Sequence, residues 1–371
     1  MTPRERILTA LTGRAADRVP ISTYELVGYN SRAFENNDPS FTPLMDAVRE
    51  KTDCICMWEP NSDERFLASS FPVEMEVREH REANVTVQRR TLYTARGDLS
   101  QTTKRVAGVH TIWQTEHWCK SVDDVDAALS VPYAPLEYDI SDYVRITTEV
   151  GDRGIIMASV ADPLWLAADL MSFGDYTVWA QTETEHFART VAAMHERVME
   201  NLRRMLAVNV VDLYRICGPE YATPPFLPPA LFERFVVRHV SEMVELIHTH
   251  GARARLHCHG RIGQVLDMIA ATGADAIDLC EGPPDGDITL GETKRRVGNR
   301  MCIFGNLQLK LLEHGSAAQV EEAVKACMDS AKQGGGYVIM PTAAPIHSPL
   351  PKKTEENYLR FIEVALEYGK Y

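Results

Sequence analysis

The feature that most constrains this chain is a series of eight short apolar runs separated by longer stretches of helical periodicity. The runs are RVPIST (18–23), DCICMW (53–58), GIIMASV (154–160), VDLYRI (211–216), RARLHCH (253–259), DAIDL (275–279), MCIFGN (301–306) and YVIMPT (337–342). Apolar residues recur at helical spacing over 183–207, 229–250, 260–272, 316–332 and 354–368. The segment PPALFERFVVRHVSEMVELIHTHG opens on proline and closes on His then Gly, both helix-boundary signals. Strands that alternate with helices need crossover connections, and therefore a parallel sheet. Eight such units predict an α/β fold, the (β/α)8 TIM barrel. An open doubly wound sheet is the competitor, but no glycine-rich dinucleotide fingerprint follows the first strand.

Residues 59–150 interrupt the alternation. Their stretch EMEVREHREANVTVQRRTLYTARGDLSQTTKRVAGVHTIWQTEHWC alternates polar and apolar positions, as antiparallel strands do. This predicts a β-rich insertion after strand 2, lying over one end of the barrel, within one barrel domain covering 1–371. The formal net charge is -13, which disfavours a general nucleic-acid binder. No run of eighteen apolar residues suggests a membrane span, and the N-terminal segment lacks a signal-peptide pattern, so a cytoplasmic location is expected. The eight cysteines are scattered through apolar runs and read as reduced thiols rather than a disulfide framework.

Barrel active sites form where strands end and βα loops begin. That rule nominates Glu25, Trp58, Asp162, Arg215 with Cys217 and Glu220, His257, His259, Asp278, Glu281, Asn306 and His347. Within RLHCHG (255–260), strand alternation puts His257 and His259 on one face and Cys258 on the other. Glu281 leaves the next strand at an equivalent place. Two imidazoles and one carboxylate suit a catalytic zinc with an open position, and suit iron(II) as well. The competing reading has the histidines hydrogen-bonding substrate or backbone with no metal. Arg215 is either a clamp for a substrate carboxylate or half of a buried pair with Glu220 or Asp212. Cys54 and Cys56 read as core thiols, and the GGG at 334–336 as a tight helix-to-strand connection.

Several stretches resemble the uroporphyrinogen decarboxylase superfamily. They are TPRERILTALTGRAADRVPIS at the start, RARLHCHGRIGQVLDMIAATGADAIDL around the family's H-x-C-G, and the C-terminal CIFGNLQLKLLEHG and GGGYVIMPTAAPIHSPLPKK. The resemblance implies the same barrel. Porphyrinogen decarboxylases carry an N-terminal arginine-rich signature that grips propionates; here ISTYELVGYNSRAF offers only Arg32, and Asp53 precedes a strand instead of ending one. The methyltransferase branch instead implies zinc held by a His-x-Cys pair, a later Cys and often a Glu. Those positions fall on His257, His259 and Glu281, with Thr342, Ala343 and Ala344 where the later Cys belongs. A site poorer in thiolate is a stronger Lewis acid, suited to an oxygen substrate.

The leading expectation is therefore a zinc-dependent (or other divalent-metal) methyltransferase or demethylase acting on a small molecule. A corrinoid would be carried by a separate partner protein. Asp162, Arg215 and Glu220 would act on the substrate, the metal would sit on His257, His259 and Glu281, and Trp58, Asn306 and His347 would line the pocket. The alternatives are a metal-free decarboxylase or lyase using Arg215 on a small carboxylic acid, and a barrel that only binds a small molecule or a corrinoid partner.

Overall fold

The computed structural model describes all of residues 1–371. Seven strands, Cys54–Met57, Gly154–Ala161, Leu213–Cys217, Arg253–Cys258, Ala276–Leu279, Cys302–Leu307 and Tyr337–Pro341, pair in chain order. Every pairing is parallel. The eighth expected strand, 18–23, shrinks to two isolated bridges, a parallel one between Ile21 and Ile339 and an antiparallel one between Arg18 and Lys370. It still closes the ring. Ser22 N–H donates to the Ile339 carbonyl and Ile339 N–H to that of Pro20, both at 3.0 Å, while Asp53 N–H donates to the Ile21 carbonyl at 2.9 Å. Pro20 has no N–H to offer, which limits a longer ladder here.

Alternation along the strands separates two cores. Outward residues such as Cys56, Ile156, Ile216, Leu256, Cys258 and Ile303 pack under the surrounding helices. Inward residues Ile155, Leu213, Ala276, Phe304 and Met340 form a smaller cluster inside the ring. The helix Pro3–Leu11 plugs that cluster from below with Ile7, Ala10 and Leu11. Its start is fixed by Pro3 and by a capping box between Thr2 and Glu5. Asp53 fastens the closing segment to this end, accepting from Arg18 at 2.7 Å and from Ile21 N–H at 2.8 Å while facing Arg6.

Two helical expectations change in detail. The 229–250 stretch is helical as Pro229–Phe232, a π-turn at Glu233–Val237, and Arg238–Thr249. The 260–272 helix starts late, with a turn at Ile262–Gln264 and the α-helix only at Leu266–Ala271, because Gly260 takes φ +84° to leave the strand.

The insertion is a four-stranded antiparallel sheet, Glu74–Glu82, Val85–Thr94, Gly97–Val106 and Trp113–Glu116, with the helices Val122–Leu129 and Tyr143–Val150. Leu92, Leu99 and Trp118 join the outer core. Its 107–112 connection reaches the last βα loop, where Val109 bridges His347 and His110 N–H donates to the Ile346 carbonyl at 2.8 Å. No helix is long and apolar enough to cross a membrane.

Candidate active site

Above the apolar cluster, the inward positions of three adjacent strands turn charged. Parallel register pairs Arg215 with Arg255, and His257 with Asp278. All four are buried, Asp278 completely. Arg255 places Nη2 2.9 Å from Asp278 Oδ2 and its guanidinium carbon 4.8 Å above the Phe304 ring. His257 Nδ1 lies 2.8 Å from Asp278 Oδ1. Arg215 donates through Nη1 to Glu25 Oε1 at 2.8 Å and through Nη2 to the Tyr24 hydroxyl at 2.7 Å. The same Nη2 lies 2.8 Å from His257 Nδ1 and 3.2 Å from Nε2.

These contacts fix the protonation states. Burial opposes the Asp278 charge, but Arg255, His257 and Arg215 outweigh it and hold the carboxyl well below its ordinary range. Burial pushes the His257 imidazole down, with Arg215 acting in the same direction, so the ring is neutral at pH 7. A neutral ring that faces a carboxylate at Nδ1 carries its proton there. Nε2 is then the lone-pair nitrogen and can accept from Arg215 Nη2 at 3.2 Å, though that Nη2 lies nearer to Nδ1. Two buried guanidiniums thus share one buried carboxylate, and Glu25, whose side chain is 44% exposed, supplies the balancing charge.

Glu25 also opens onto a cavity of about 520 Å³. Its walls include Phe34, Glu35, Trp58, His110 and Ile346. His110 stacks on Phe34 with ring centroids 3.6 Å apart, so the insertion forms part of the wall.

The structure divides the nominated residues. His257, Arg215, His259 and Glu281 cluster at the ends of adjacent strands, joined to the cavity through Glu25 on Arg215: the two imidazole centroids are 4.7 Å apart, and His259 Nδ1 is 3.3 Å from Glu281 Oε2. Cys258 is buried on the opposite face, as alternation requires. Burial disfavours the His259 charge, yet the hydrogen bond and attraction of Glu281 raise its pKa overall. Arg215 pairs with Glu25 and Asp278, not with Glu220 or Asp212; Asp212 accepts from Ile156 N–H at 3.0 Å and pairs with Arg4. Trp58 lines the cavity and donates Nε1–H to Asp142 at 2.9 Å.

The other nominated residues serve the framework. Asp162 caps the helix Pro163–Ala168, accepting from Trp165 N–H at 2.7 Å. Burial pushes its carboxyl well up, and Gly218 packs so closely that a Cβ there would lie 1.9 Å from Oδ1. Glu220 accepts from Gly218 N–H at 3.0 Å. Asn306 donates to the Cys280 carbonyl at 2.7 Å and takes a Cys327 thiol contact at 3.6 Å, which commits its amide. His347 is exposed; Ala344, Pro345 and Ile346 of the same loop line the cavity instead. The residues that strand-end reasoning did not nominate are Tyr24, Glu35 and Arg255. Arg255 had a usable signal, since it is two residues before His257 on one strand and so shares its inward face.

A divalent cation has suitable donor types in His257, His259 and Glu281. Asp278 behind His257 is the carboxylate partner that commonly orients a metal-binding imidazole. The donors do not converge on one point, however, and no group of three or more His, Cys, Asp or Glu is arranged to hold a metal ion. The guanidinium of Arg215 lies against His257 where a cation would approach.

A barrel with its polar residues gathered at the strand ends is an enzyme architecture. The uroporphyrinogen decarboxylase (URO-D) family model matches residues 115–368, so the chain belongs to that family. A uroporphyrinogen decarboxylase from Thioalkalivibrio sulfidiphilus is 36% identical over 222 residues, covering 56% of this chain and 59% of the relative. One from Pseudoalteromonas translucida is 32% identical over 107 residues, 29% of this chain and 27% of the relative. These matches span less than two thirds of the relatives' own length. A solved methyltransferase from Methanosarcina mazei superposes with a TM-score of 0.63 at 18% identity, covering 99% of both chains, and so shares the fold.

Proposed function

We propose that this chain is a metal-assisted methyltransferase or demethylase. It would move a methyl group between a small oxygen-bearing molecule and a corrinoid or thiol carrier, the corrinoid residing on a separate protein. The observation that carries this reading is the orientation of His257 by the buried Asp278, with His259 and Glu281 beside it at the strand ends. A solved structure of the same fold is described as a methyltransferase.

His257, His259 and Glu281 would have to converge from their present positions to hold an ion, with zinc the first candidate and another divalent metal the alternative. When bound, it supplies Lewis acidity toward the substrate heteroatom. Arg215 would have to release His257, and Glu25 and Tyr24 already hold its other hydrogen bonds. Asp278 keeps the His257 proton on Nδ1, so that Nε2 is the donor atom. Phe34, Trp58 and His110 wall the cavity and exclude water from the reacting atoms.

Porphyrinogen decarboxylation is poorly supported despite the relatives' names. The cavity wall carries Glu25 and Glu59 against one guanidinium, Arg32, which is already paired with Asp142 at 2.5 Å. That is the wrong sign for a substrate bearing many carboxylates. Decarboxylation of a small acid is the second reading, favoured by the half-exposed Glu25 that a substrate carboxylate could replace on Arg215.

Elemental analysis and zinc titration calorimetry test the leading reading. About one equivalent of metal is expected in the wild type, with more than a tenfold loss of affinity in His259→Ala and Glu281→Gln. No bound metal and no zinc affinity would sink it. Carbon dioxide release from a small acid by metal-free protein would favour the second reading. Absence of all turnover, with small-molecule binding intact, would favour a barrel that only binds.

A further inference from the structure

Glu35 is 3% exposed, yet it is one of the residues lining the cavity. It lies in the short 3-10 helix Phe34–Asn36, outside every regular strand or helix of the barrel. Its Oε1 accepts from Val27 N–H at 3.0 Å, and the Glu35 backbone N–H also favours the charged form.

No cation answers this carboxyl. Arg32 is committed to Asp142 and to the Glu59 carbonyl, and Arg49 to the Gly28 carbonyl and Asn36. Glu25 is held by Arg215, Glu59 stands exposed at the mouth, and His110 is stacked flat on Phe34. A buried carboxyl without a counter-charge is costly when ionised and tolerable when protonated. Burial accordingly pushes the Glu35 carboxyl up to about 7, with the nearby Glu25 charge adding to the rise.

We infer that Glu35 is the catalytic acid of the cavity, delivering its proton to the leaving oxygen of the methyl donor. The inference rests on the methyl-transfer reading and adds a residue and a leaving-group class to it. The C–O bond of the donor breaks, its electron pair stays on oxygen, and that oxygen takes the Glu35 proton. The methyl carbon forms its new bond to the carrier nucleophile, a thiolate or a reduced cobalt centre. An acid of this kind serves methyl ethers and alcohols, whose alkoxide leaves poorly, and adds nothing for a sulfonium or quaternary ammonium donor, which leaves neutral.

The test combines carboxyl-13C NMR of glutamate-labelled protein with methyl-transfer rates from anisole and 4-nitroanisole to added cob(I)alamin, in the wild type and in Glu35→Gln. One resonance is expected to titrate with a midpoint of about 7, to vanish in Glu35→Gln, and to shift when 4-nitrophenol binds. Glu35→Gln should slow transfer from anisole about 100-fold, and from 4-nitroanisole less than about tenfold, because nitrophenolate leaves without a proton. Equal losses for the two ethers, or titration in the ordinary carboxylate range, would overturn the proposal. If the wild type demethylates neither ether, the methyl-transfer reading fails. The Glu35 resonance then decides separately, and one unmoved by 4-nitrophenol overturns its contact with the leaving group.

Discussion

The barrel interior is two different materials stacked on one another. Below, the inward residues are aliphatic or aromatic and the N-terminal helix seals them with Ile7, Ala10 and Leu11. Above, the same strands present Arg215, Arg255, His257 and Asp278. The lower layer is held by apolar burial, which tolerates moderate change in shape. The upper layer is held by charge balance in a site closed to water, where removing one partner leaves the others exposed to the full desolvation cost. The scaffold therefore keeps its structural tolerance at one end and concentrates its chemistry at the other.

The sharpest way to break this contrast is Asp278→Ala. It strands two buried guanidiniums and should cost about 3–5 kcal/mol, or prevent folding. Leu11→Ala in the lower layer removes apolar volume only, for an expected loss of about 2–4 kcal/mol. Urea unfolding measures both. If Asp278→Ala costs less than Leu11→Ala, the upper layer does not depend on that carboxylate. Asp278→Asn keeps the shape and loses the charge, which separates packing from electrostatics.

Acidification tests the layers without mutation. His257 has a lowered pKa in the folded state and is buried neutral. Its contribution is present above the unfolded value of about 6.5 and lost as pH falls below it. His239, pushed down to about 4 by burial and by the facing His195, acts in the same direction on the outer helices. Asp278, also lowered, contributes above the unfolded value of about 3.9 and is lost only under stronger acid. Stability should thus fall in two stages, the first weakened by His239→Gln and the second weakened in Asp278→Asn, with Asp17, Glu116 and Glu321 supplying the remainder. A single stage with its midpoint at ordinary carboxylate values, unchanged by either substitution, would contradict the assignment.

What the sequence discloses about this site follows from period-two alternation and from little else. Alternation placed His257 inward and Cys258 outward, and the same rule extended two residues back reaches Arg255. The rule that sites lie at strand ends nominated Asp162 and Asn306. It passed over the local cap that Asp162 makes to the Trp165 amide ahead of Pro163, and it could not see the bond from Asn306 to the Cys280 carbonyl, a contact 26 residues apart in the chain. Glu35 lies in a stretch with no periodicity, where neither rule applies. The closing segment 18–23 reads as a strand from its apolar residues, but Pro20 and the Asp53 anchor leave it a single bridge to the barrel sheet, at Ile21.

The smallest expected effect belongs to His347, which was nominated from the sequence and lies outside the cavity. It is exposed, and its contact with the insertion is a backbone bridge to Val109 that a side-chain change leaves intact. His347→Ala should change stability by less than about 0.5 kcal/mol. Ile346, one residue earlier, lines the cavity while its carbonyl receives the His110 N–H. Ile346→Asp places a charge on that wall and should weaken binding of an apolar probe such as anisole by about tenfold, at little cost in stability for a residue already 37% exposed. If His347→Ala weakens binding as much as Ile346→Asp, the last βα loop takes a different position when the cavity is filled, and the wall has to be redrawn to include that imidazole.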